Sequence, residues 1–450
     1  MKRFFIFFVV FCLLTTSLFA QESDLQNADQ SEVSQPQSVQ GDTPKFGFGF
    51  SFGTVVINGV TYFQVKGQPQ FSIGKLGVGL DLNFEFDGQW NLRTTEWNSW
   101  QAILSKIMYL SWGNKGDKPV YFKIGRIQDA VLGNGFIMYN YNNNLNFPNI
   151  KKFGIAFDID LDYAGIETFV DNVFDFDIIG GRLFFRPLYS SKVFLLDMLE
   201  IGGTLVADLD PLNPVPPSDS PYSFSDSGSD KKVFIVGADL GLPILKLDPV
   251  INMKWFFDFA YIIDKGTGEA TGFFGKILSF IPYRFEVRFL QPKFIPSFFD
   301  ALYEAERYII VGTNYITKYD TLDYITNSYF GWFFLTGVYF EKTASLIINI
   351  EDSFDDTTYP ILRVSMAIDR ELTKMVGFSF TYERKNIREF KDVYTTESTD
   401  SVILTKLSYK VSDMVNLIVE YRRTFDWFDE GGQKVLKPLE STSISTEISF

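Results

Sequence analysis

The segment Tyr283-Arg284-Phe285-Glu286-Val287-Arg288-Phe289 places an apolar side chain at every odd position and a charged one at every even position. Side chains alternate between the two faces of a β-strand, so this segment forms a strand with one oily face and one charged face. The same alternation recurs at 80–86, 156–162, 362–369, 378–383 and 417–422. The repeated pattern predicts an all-β chain that meets two solvents, one oily and one aqueous.

Two folds share this alternation, a soluble β-sandwich and a transmembrane β-barrel. Sandwich strands are typically ~5–6 residues long, whereas many segments here reach the ~9–11 residues that a tilted strand needs to cross a bilayer. The apolar faces are rich in aromatic residues, as at Trp255, Phe257, Phe259 and Tyr261, which is typical of the girdles at membrane interfaces. Because an open sheet edge is costly in hydrocarbon, we predict a single transmembrane antiparallel β-barrel over residues 45–450.

The composition excludes several classes of function. The chain has 450 residues, with 41 basic and 55 acidic side chains, a formal charge of −14, no histidine and one cysteine. Without histidine there is no His-centred catalytic pair and no His-ligated zinc site. An acidic chain is also unsuited to the phosphate backbone of nucleic acids. We therefore predict no enzymatic activity, no cofactor, no metal and no nucleic-acid partner.

The N-terminus has the order of a secretory signal. Two basic residues precede an apolar run over 4–14, and small residues follow up to Ala20. This order predicts a signal peptide at 1–20 that is removed after Ala20, with an uncleaved anchor as the alternative. Residues 21–44 are polar and acidic and contain no aromatic residue, which predicts a disordered periplasmic tail.

The last nine residues, 442–450, alternate again and end on an aromatic residue, with Ile444, Ile448 and Phe450 on the apolar face. This segment resembles the closing strand of bacterial outer-membrane β-barrel proteins of the porin-like kind. In those proteins the final aromatic residue and the alternating residues before it act as an assembly signal. The resemblance implies residence in the cell outer membrane, with outer-membrane lipid and the barrel-assembly machinery as partners.

The length predicts the number of strands. At roughly 22 residues per strand and connection, the barrel region holds about 18 strands, with 16 or 20 as alternatives. Direct reading of the segments gives an odd number, roughly 21, whereas a barrel with both chain ends in the periplasm needs an even one. The number of strands is ambiguous in two segments, 45–73 and 270–291.

Consecutive strands of such a barrel run in opposite directions, so their connections alternate between the two sides of the membrane. We predict extracellular loops at Glu351–Tyr359, Lys385–Asp400 and Trp427–Glu440, and a periplasmic turn at Val411–Met414. The long polar segment 208–232 is assigned to neither side of the membrane. A short helix is expected over 298–307 with Ser297 as its N-cap, and we expect it at the rim rather than inside the barrel.

Charged residues on the polar faces are predicted to line the lumen, because a charge costs ~2–4 kcal/mol on the lipid face at the midplane and little in water. The lumen and selectivity candidates are Asp81, Glu85, Asp158, Asp160, Asp162, Lys254, Asp258, Arg284, Glu286, Arg288, Arg363 and Arg422. Opposed acidic and basic rings across a constriction would set ion selectivity. The alternative is that these residues are wall residues paired across strands, as we expect for Asp158, Asp160 and Asp162.

An unusual polar segment, Tyr139-Asn140-Tyr141-Asn142, follows a glycine-rich stretch. Amides and tyrosine rings suit sugars or other neutral polar solutes, through hydrogen bonds and ring stacking. The alternative is an Asn-rich connection that lines the mouth of the barrel.

These features predict a porin-like channel for passive diffusion of small hydrophilic solutes or ions. A barrel of about 18 strands leaves an aqueous channel unless loops fill it. The alternative is a surface-exposed binding protein or adhesin that acts through its extracellular loops. The sequence alone leaves open the solute, the sign of the ion preference and the oligomeric state.

Overall fold

The computed structural model describes residues 46–57, 60–145, 147, 150–212, 232–311, 314–340, 343–355, 357–395, 400–430 and 433–449. The predicted signal peptide at 1–20, the tail at 21–44 and Phe450 lie outside the described residues. Within the described part, no helix has the length and apolar character required to cross a membrane.

Strands dominate the chain, and 21 of them form one sheet. They are β1 (Phe46–Ile57), β2 (Val60–Ile73), β3 (Leu76–Leu80), β4 (Leu82–Phe86), β5 (Ile107–Trp112), β6 (Val120–Gly125), β7 (Gly154–Asp160), β8 (Ala164–Val170), β9 (Ile178–Phe185), β10 (Glu200–Asp208), β11 (Val233–Leu247), β12 (Ile251–Ile262), β13 (Thr267–Ile277), β14 (Ile281–Leu290), β17 (Tyr329–Phe340), β18 (Ala344–Ser353), β19 (Ile361–Ile368), β20 (Val376–Arg384), β21 (Ser401–Lys410), β22 (Val415–Glu430) and β23 (Gln433–Ser449). A separate hairpin joins β15 (Tyr308–Val311) to β16 (Asn314–Thr317). Short helices are α1 (Trp100–Leu104), α2 (Tyr303–Glu306), α3 (Lys318–Thr321) and α4 (Arg370–Thr373).

The sheet closes on itself as an antiparallel barrel. Strand β1 pairs with β2 on one side and with the last strand, β23, on the other. Strands β3 and β4 both pair with β2 and are separated only by Asp81, so they count as one interrupted strand. Counting them together reduces 21 strands to 20. The even number that closure requires is therefore 20, the upper end of the predicted range, rather than the central value of 18.

The outer surface of the wall is apolar and its inner surface is polar. On β14, Phe285 is 44% exposed and Val287 is 37% exposed, whereas Glu286 between them is 1% exposed. Other exposed outward side chains are Phe63, Leu183, Phe185, Leu205, Phe259, Phe273, Phe330, Leu407 and Ile444. A closed sheet with an apolar belt outside and charges inside is the architecture of a transmembrane β-barrel. This confirms the predicted fold class and places Ile444 on the lipid-facing side.

The connections divide into two ends. One end, the short-turn end, carries the turns at 161–163, 248–250 and 411–414, and β1 begins and β23 ends there. The other, the long-loop end, carries 126–153, 291–328 and 385–400. The connection that begins after Asp208 also belongs to the long-loop end, although residues 213–231 lie outside the described part.

The predicted loop at Trp427–Glu440 is wrong. Strand β22 continues to Glu430, and β23 begins at Gln433 and pairs with it, as in Trp427↔Leu436 and Glu430↔Gln433. Period-two alternation is weak in this hairpin, so the pattern of apolar residues does not predict that the strands extend this far.

Candidate functional site

Two long connections fold into the barrel from the long-loop end. Inner loop 1 spans residues 126–153 and inner loop 2 spans residues 291–328. Every residue from 130 to 145 is buried. Backbone hydrogen bonds join the two loops: the Tyr139 N–H donates to the Phe299 carbonyl at 3.0 Å, and the Phe299 N–H donates to the Ile137 carbonyl at 3.1 Å. The two loops therefore form one body inside the wall.

An apolar core holds this body together. Its most buried members, each at most 1% exposed, are Met138, Tyr141, Phe298, Phe299 and Tyr303. The rings of Phe299 and Tyr303 lie 4.8 Å apart, and the ring of Tyr141 reaches Phe169 on β8 at 5.2 Å. Burial of each large apolar side chain stabilises a protein by roughly 1.5–3 kcal/mol. The interior is therefore packed as the core of a globular domain is packed.

A cluster of charges, the Arg182 cluster, lies where inner loop 1 meets β8 to β11. Arg182 donates to Glu167 and Glu200 at 2.7 Å each and to Asp239 at 2.6 Å. Gly133 of inner loop 1 has a φ of +54°, and a Cβ there would lie 2.9 Å from Cδ of Arg182. Its N–H donates to Glu167 at 3.2 Å. Only glycine combines this backbone conformation with so close an approach.

A second cluster, the Arg307 cluster, ties both inner loops to the wall. Its members are Lys152, Asp171, Asp177, Asp208, Glu304 and Arg307. Arg307 donates to Asp208 at 2.7 Å and to Asp177 at 2.9 Å. Lys152 donates to Asp171 at 2.7 Å and to Glu304 at 2.9 Å. Among the described residues, these four carboxylates lie beside one lysine and one arginine, so their complete ionisation would concentrate negative charge in a buried place, which is costly.

The imbalance predicts a pH-dependent stability. Burial raises the pKa of Asp171 from 3.8 to about 7, although Lys152 pairs with it. The folded protein therefore holds this proton more tightly than the unfolded chain does. The resulting stabilisation is complete below the unfolded pKa of 3.8 and is lost as the pH rises towards 7. We expect the urea midpoint of the barrel in micelles to fall over this window, and Asp171→Asn to flatten the fall. An unchanged pH profile in the Asn variant would contradict this assignment.

The tip of inner loop 1 is bonded to the wall at β12 and β14. The Asn134 side-chain amide donates to Asp258 at 3.1 Å, and the Asn134 carbonyl accepts a hydrogen bond from Arg284. Glu286 accepts hydrogen bonds from Arg284 and, at 2.8 Å, from Arg288. The alternating charges quoted from 283–289 thus face the inner loops rather than open water.

Inner loop 1 is also bonded to the opposite side of the wall. Arg126 forms an ion pair with Asp81, between β3 and β4. Arg422 on β22 donates to the carbonyls of Asn144 and Leu145. Strands β4 and β12 lie about half the circumference apart in the order of pairing. The inner loops therefore span the lumen from wall to wall.

The lumen candidates predicted from the sequence lie on the inward face, with one exception. Buried ones are Asp81, Glu85, Asp258, Arg284, Glu286 and Arg288, and half-buried ones are Asp158, Asp160, Lys254, Arg363 and Arg422. Their part in ion selectivity stays a prediction.

Asp162 is the exception, because β7 ends at Asp160. Asp162 lies in the following turn with a φ of +68° and pairs with Lys118 at 2.8 Å. Asp158 pairs with Lys115 at 2.8 Å, and Asp160 pairs with Arg186 at 2.8 Å. Lys118 also lies 3.5 Å from Asp160. Each of the three carboxylates therefore has a basic partner, and Asp160 and Asp162 share Lys118.

The polar segment Tyr139, Asn140, Tyr141 and Asn142 lies inside the barrel rather than at its mouth. Its four side chains are all less than 10% exposed. The ring of Tyr139 meets Phe333 of β17 at 5.9 Å. The segment belongs to the packed body, so it contributes to the interior and not to a solvated rim.

Sequence reasoning missed several residues of this interior. Arg307, Lys152, Lys385, Asp300 and Asn349 were not candidates, although each has a buried or paired polar group here. Most of them lie in the connections, where period-two alternation gives no signal. One signal was present in inner loop 2: over 298–303 every residue except Asp300 is apolar or aromatic, which is unusual for a solvated connection.

The comparisons with known proteins add little. No family model and no curated protein matches the chain. Solved structures similar to it include the outer membrane protein OpdK of Pseudomonas aeruginosa, at 8% identity and a TM-score of 0.32 over 90% of this chain and 96% of that one. The siderophore receptor PirA of Acinetobacter baumannii matches at 10% identity and 0.36, over 92% and 81%.

A third similar structure is Wzi of Escherichia coli, an outer membrane protein involved in group 1 capsule assembly and a carbohydrate-binding β-barrel. It matches at 11% identity with a TM-score of 0.32, over 91% of this chain and 85% of that one. Similarity at this level carries no argument about function. The chain's own closed sheet, apolar belt and polar interior make it a barrel of the outer-membrane type.

Proposed function

We propose that the chain is a porin-like channel of the bacterial outer membrane, which passes small hydrophilic solutes or ions through a constricted, charge-lined lumen. The proposal rests on one observation. A closed wall of 20 strands, with β3 and β4 counted as one, surrounds the two inner loops, and charged side chains of the wall face these loops. A wall of this size is wide enough for an aqueous channel, and the inner loops narrow it.

Small cavities lie between the inner loops and the wall among the described residues. Cavities there include ones of about 20, 40 and 10 Å³. A cavity of this size holds one to a few water molecules. The expected conductance is therefore much lower than that of an open barrel of the same strand number.

Planar bilayers test the proposal. We expect the full-length protein, purified from the outer membrane, to give small discrete conductance steps. In a salt gradient, Asp158→Asn with Asp160→Asn should shift the reversal potential towards anions, because two negative charges are removed while Lys115 and Arg186 keep theirs. Asp162→Asn is the matched control, since Asp162 lies in a turn and is exposed, and it should not shift the potential.

A second function is favoured by the filled interior. A barrel that is packed inside and carries long loops at one end fits a surface-exposed binding protein or adhesin. A folded, heat-modifiable barrel that gives no conductance steps would support this function and contradict the channel.

A further inference from the structure

A cavity of about 40 Å³ lies between the inner loops and the wall strands β17 to β20. Residues that line it include Tyr139, Asn140 and Asp300 from the inner loops and Asn349, Arg363 and Glu383 from the wall. We call it the amide cavity, after Asn140 and Asn349. It combines residues that are far apart in sequence, so it exists only because the inner loops fold against this part of the wall.

Four polar atoms of this lining have no hydrogen-bond partner among the described residues. They are the hydroxyl of Tyr139, Oδ1 of Asn140, Oδ1 of Asn349 and Nε of Arg363. Asn140 is 3% exposed and Asn349 is 7% exposed. A buried polar group without a partner destabilises the folded state. Four such groups on one cavity indicate a site whose partners come from a bound molecule.

The charges of the cavity are already matched. Arg363 pairs with Glu383 at 2.5 Å, and Lys385 pairs with Asp300 at 2.8 Å. Glu351, which also lines the cavity, pairs with Arg288 at 2.5 Å. A further anion would meet three carboxylates and the amide oxygens, whereas a further cation would meet Arg363 and Lys385. Because either charge would enter unbalanced, the site fits an uncharged molecule.

The free atoms define the hydrogen bonds that this molecule makes. Two amide oxygens need donors, and Nε of Arg363 needs an acceptor. A hydroxyl group both donates and accepts, so it also pairs with a side-chain amide in either orientation. The ring of Tyr139, held edge-on to Phe333 at 5.9 Å, supplies the apolar side against which the C–H face of such a molecule packs.

We propose that the amide cavity is a subsite for the hydroxyl groups of a neutral, hydroxyl-rich solute, a sugar or a polyol. Its volume holds a few water molecules, so it accepts the hydroxyl-bearing end of the solute in their place. The inference rests on the proposed channel for the solute's access, and it names the substrate class of that channel. Binding of the solute is measured separately from conductance, so an experiment can contradict the subsite without contradicting the channel, and the reverse.

Equilibrium binding to the full-length barrel tests the subsite. The protein is held in an amine-oxide detergent, because sugar-headed detergents would compete. Titration calorimetry with D-glucose should show saturable binding, and D-gluconate and D-glucosamine should bind at least fivefold more weakly. Equal binding of all three, or no saturable binding of D-glucose, would overturn the proposal.

Two variants locate the binding. Asn349→Leu removes the free amide from β18, and Arg363→Lys keeps the positive charge for Glu383 but lacks the Nε donor. Each should weaken D-glucose binding by about tenfold, the effect of one lost hydrogen bond. The matched control is Asn416→Leu, an inward asparagine of β22 outside the cavity, which should bind as the unsubstituted protein does.

Unchanged affinity in both Asn349→Leu and Arg363→Lys would place D-glucose elsewhere and overturn the subsite. A barrel that conducts ions but does not bind D-glucose refutes the subsite and leaves the channel standing. A barrel that binds D-glucose through Asn349 and gives no conductance supports the subsite and refutes the channel.

Discussion

Replacement of Arg182 by methionine is expected to destabilise the barrel by about 3–5 kcal/mol, because it leaves Glu167, Glu200 and Asp239 as buried charges without their common partner. Arg182 is 2% exposed, and two of its three partners are at most 5% exposed. Glu167 keeps Lys115 at 3.4 Å and Glu200 keeps Arg186 at 2.7 Å, so Asp239 loses most. Methionine keeps much of the side-chain volume, so the loss of stability comes from the lost ion pairs rather than from a cavity. The measurement is the urea midpoint of the folded barrel in micelles, read by heat-modifiable migration.

Two controls separate charge from packing. Lys391→Met removes an ion pair with Glu389 whose side chains are 61% and 64% exposed, and it should not change the midpoint, because exposed pairs contribute little. Neutralisation of the partners in the Arg182→Met background, as Glu167→Gln, Glu200→Gln and Asp239→Asn, should restore most of the lost stability. Equal midpoints for Arg182→Met and the unsubstituted protein would show that the cluster does not stabilise the wall.

Replacement of Arg307 by methionine is expected to free inner loop 2 and to raise the single-channel conductance several-fold. Arg307 donates to Asp177, Asp208 and the Asp210 carbonyl. Loss of one partner of such a buried pair costs about 3–5 kcal/mol, which is comparable to the burial of two aromatic side chains. The loop should therefore spend more time out of the lumen. Planar bilayers and hydrogen exchange of residues 291–311 give the two measurements.

The matched control lies in the same loop. Lys293 pairs with Asp323 at 2.9 Å, with side chains that are 44% and 50% exposed, so Lys293→Met should keep the conductance and the exchange pattern. If Arg307→Met conducts and exchanges as the unsubstituted protein does, the apolar core around Phe299 alone keeps inner loop 2 inside the barrel.

The strands and the direction of their side chains could be predicted from the sequence, since a period of two is a local property. Arg284, Glu286 and Arg288 face inward because alternate side chains of a strand lie on the same face. The number of strands that cross the membrane was harder to predict, because the break at Asp81 divides one strand into two pieces that pair with the same neighbour. An odd number of separate strands is therefore compatible with an even number of crossings.

The contents of the lumen could not be predicted in the same way. The inner loops meet through Met138 and Phe299, which are far apart in sequence, and no local pattern encodes that contact. The expected helix over 298–307 is shorter, Tyr303–Glu306, and Ser297 does not cap it, because the N-cap position is Leu302. Phe298 and Phe299 turn this segment inward, since at most 1% of either side chain is exposed.

The pairing of β1 with β23 ties the beginning of the wall to its end, from Gly47 opposite Ser449 to Gly53 opposite Ser443. The cylinder is therefore completed by contacts between the first and the last strands of the sheet, which lie far apart in the sequence, and such long-range contacts slow folding. A shortened chain that lacks β23 would present two unpaired edges at once, on β1 and on β22. Such edges recruit other chains, so premature termination should yield aggregates rather than a smaller barrel.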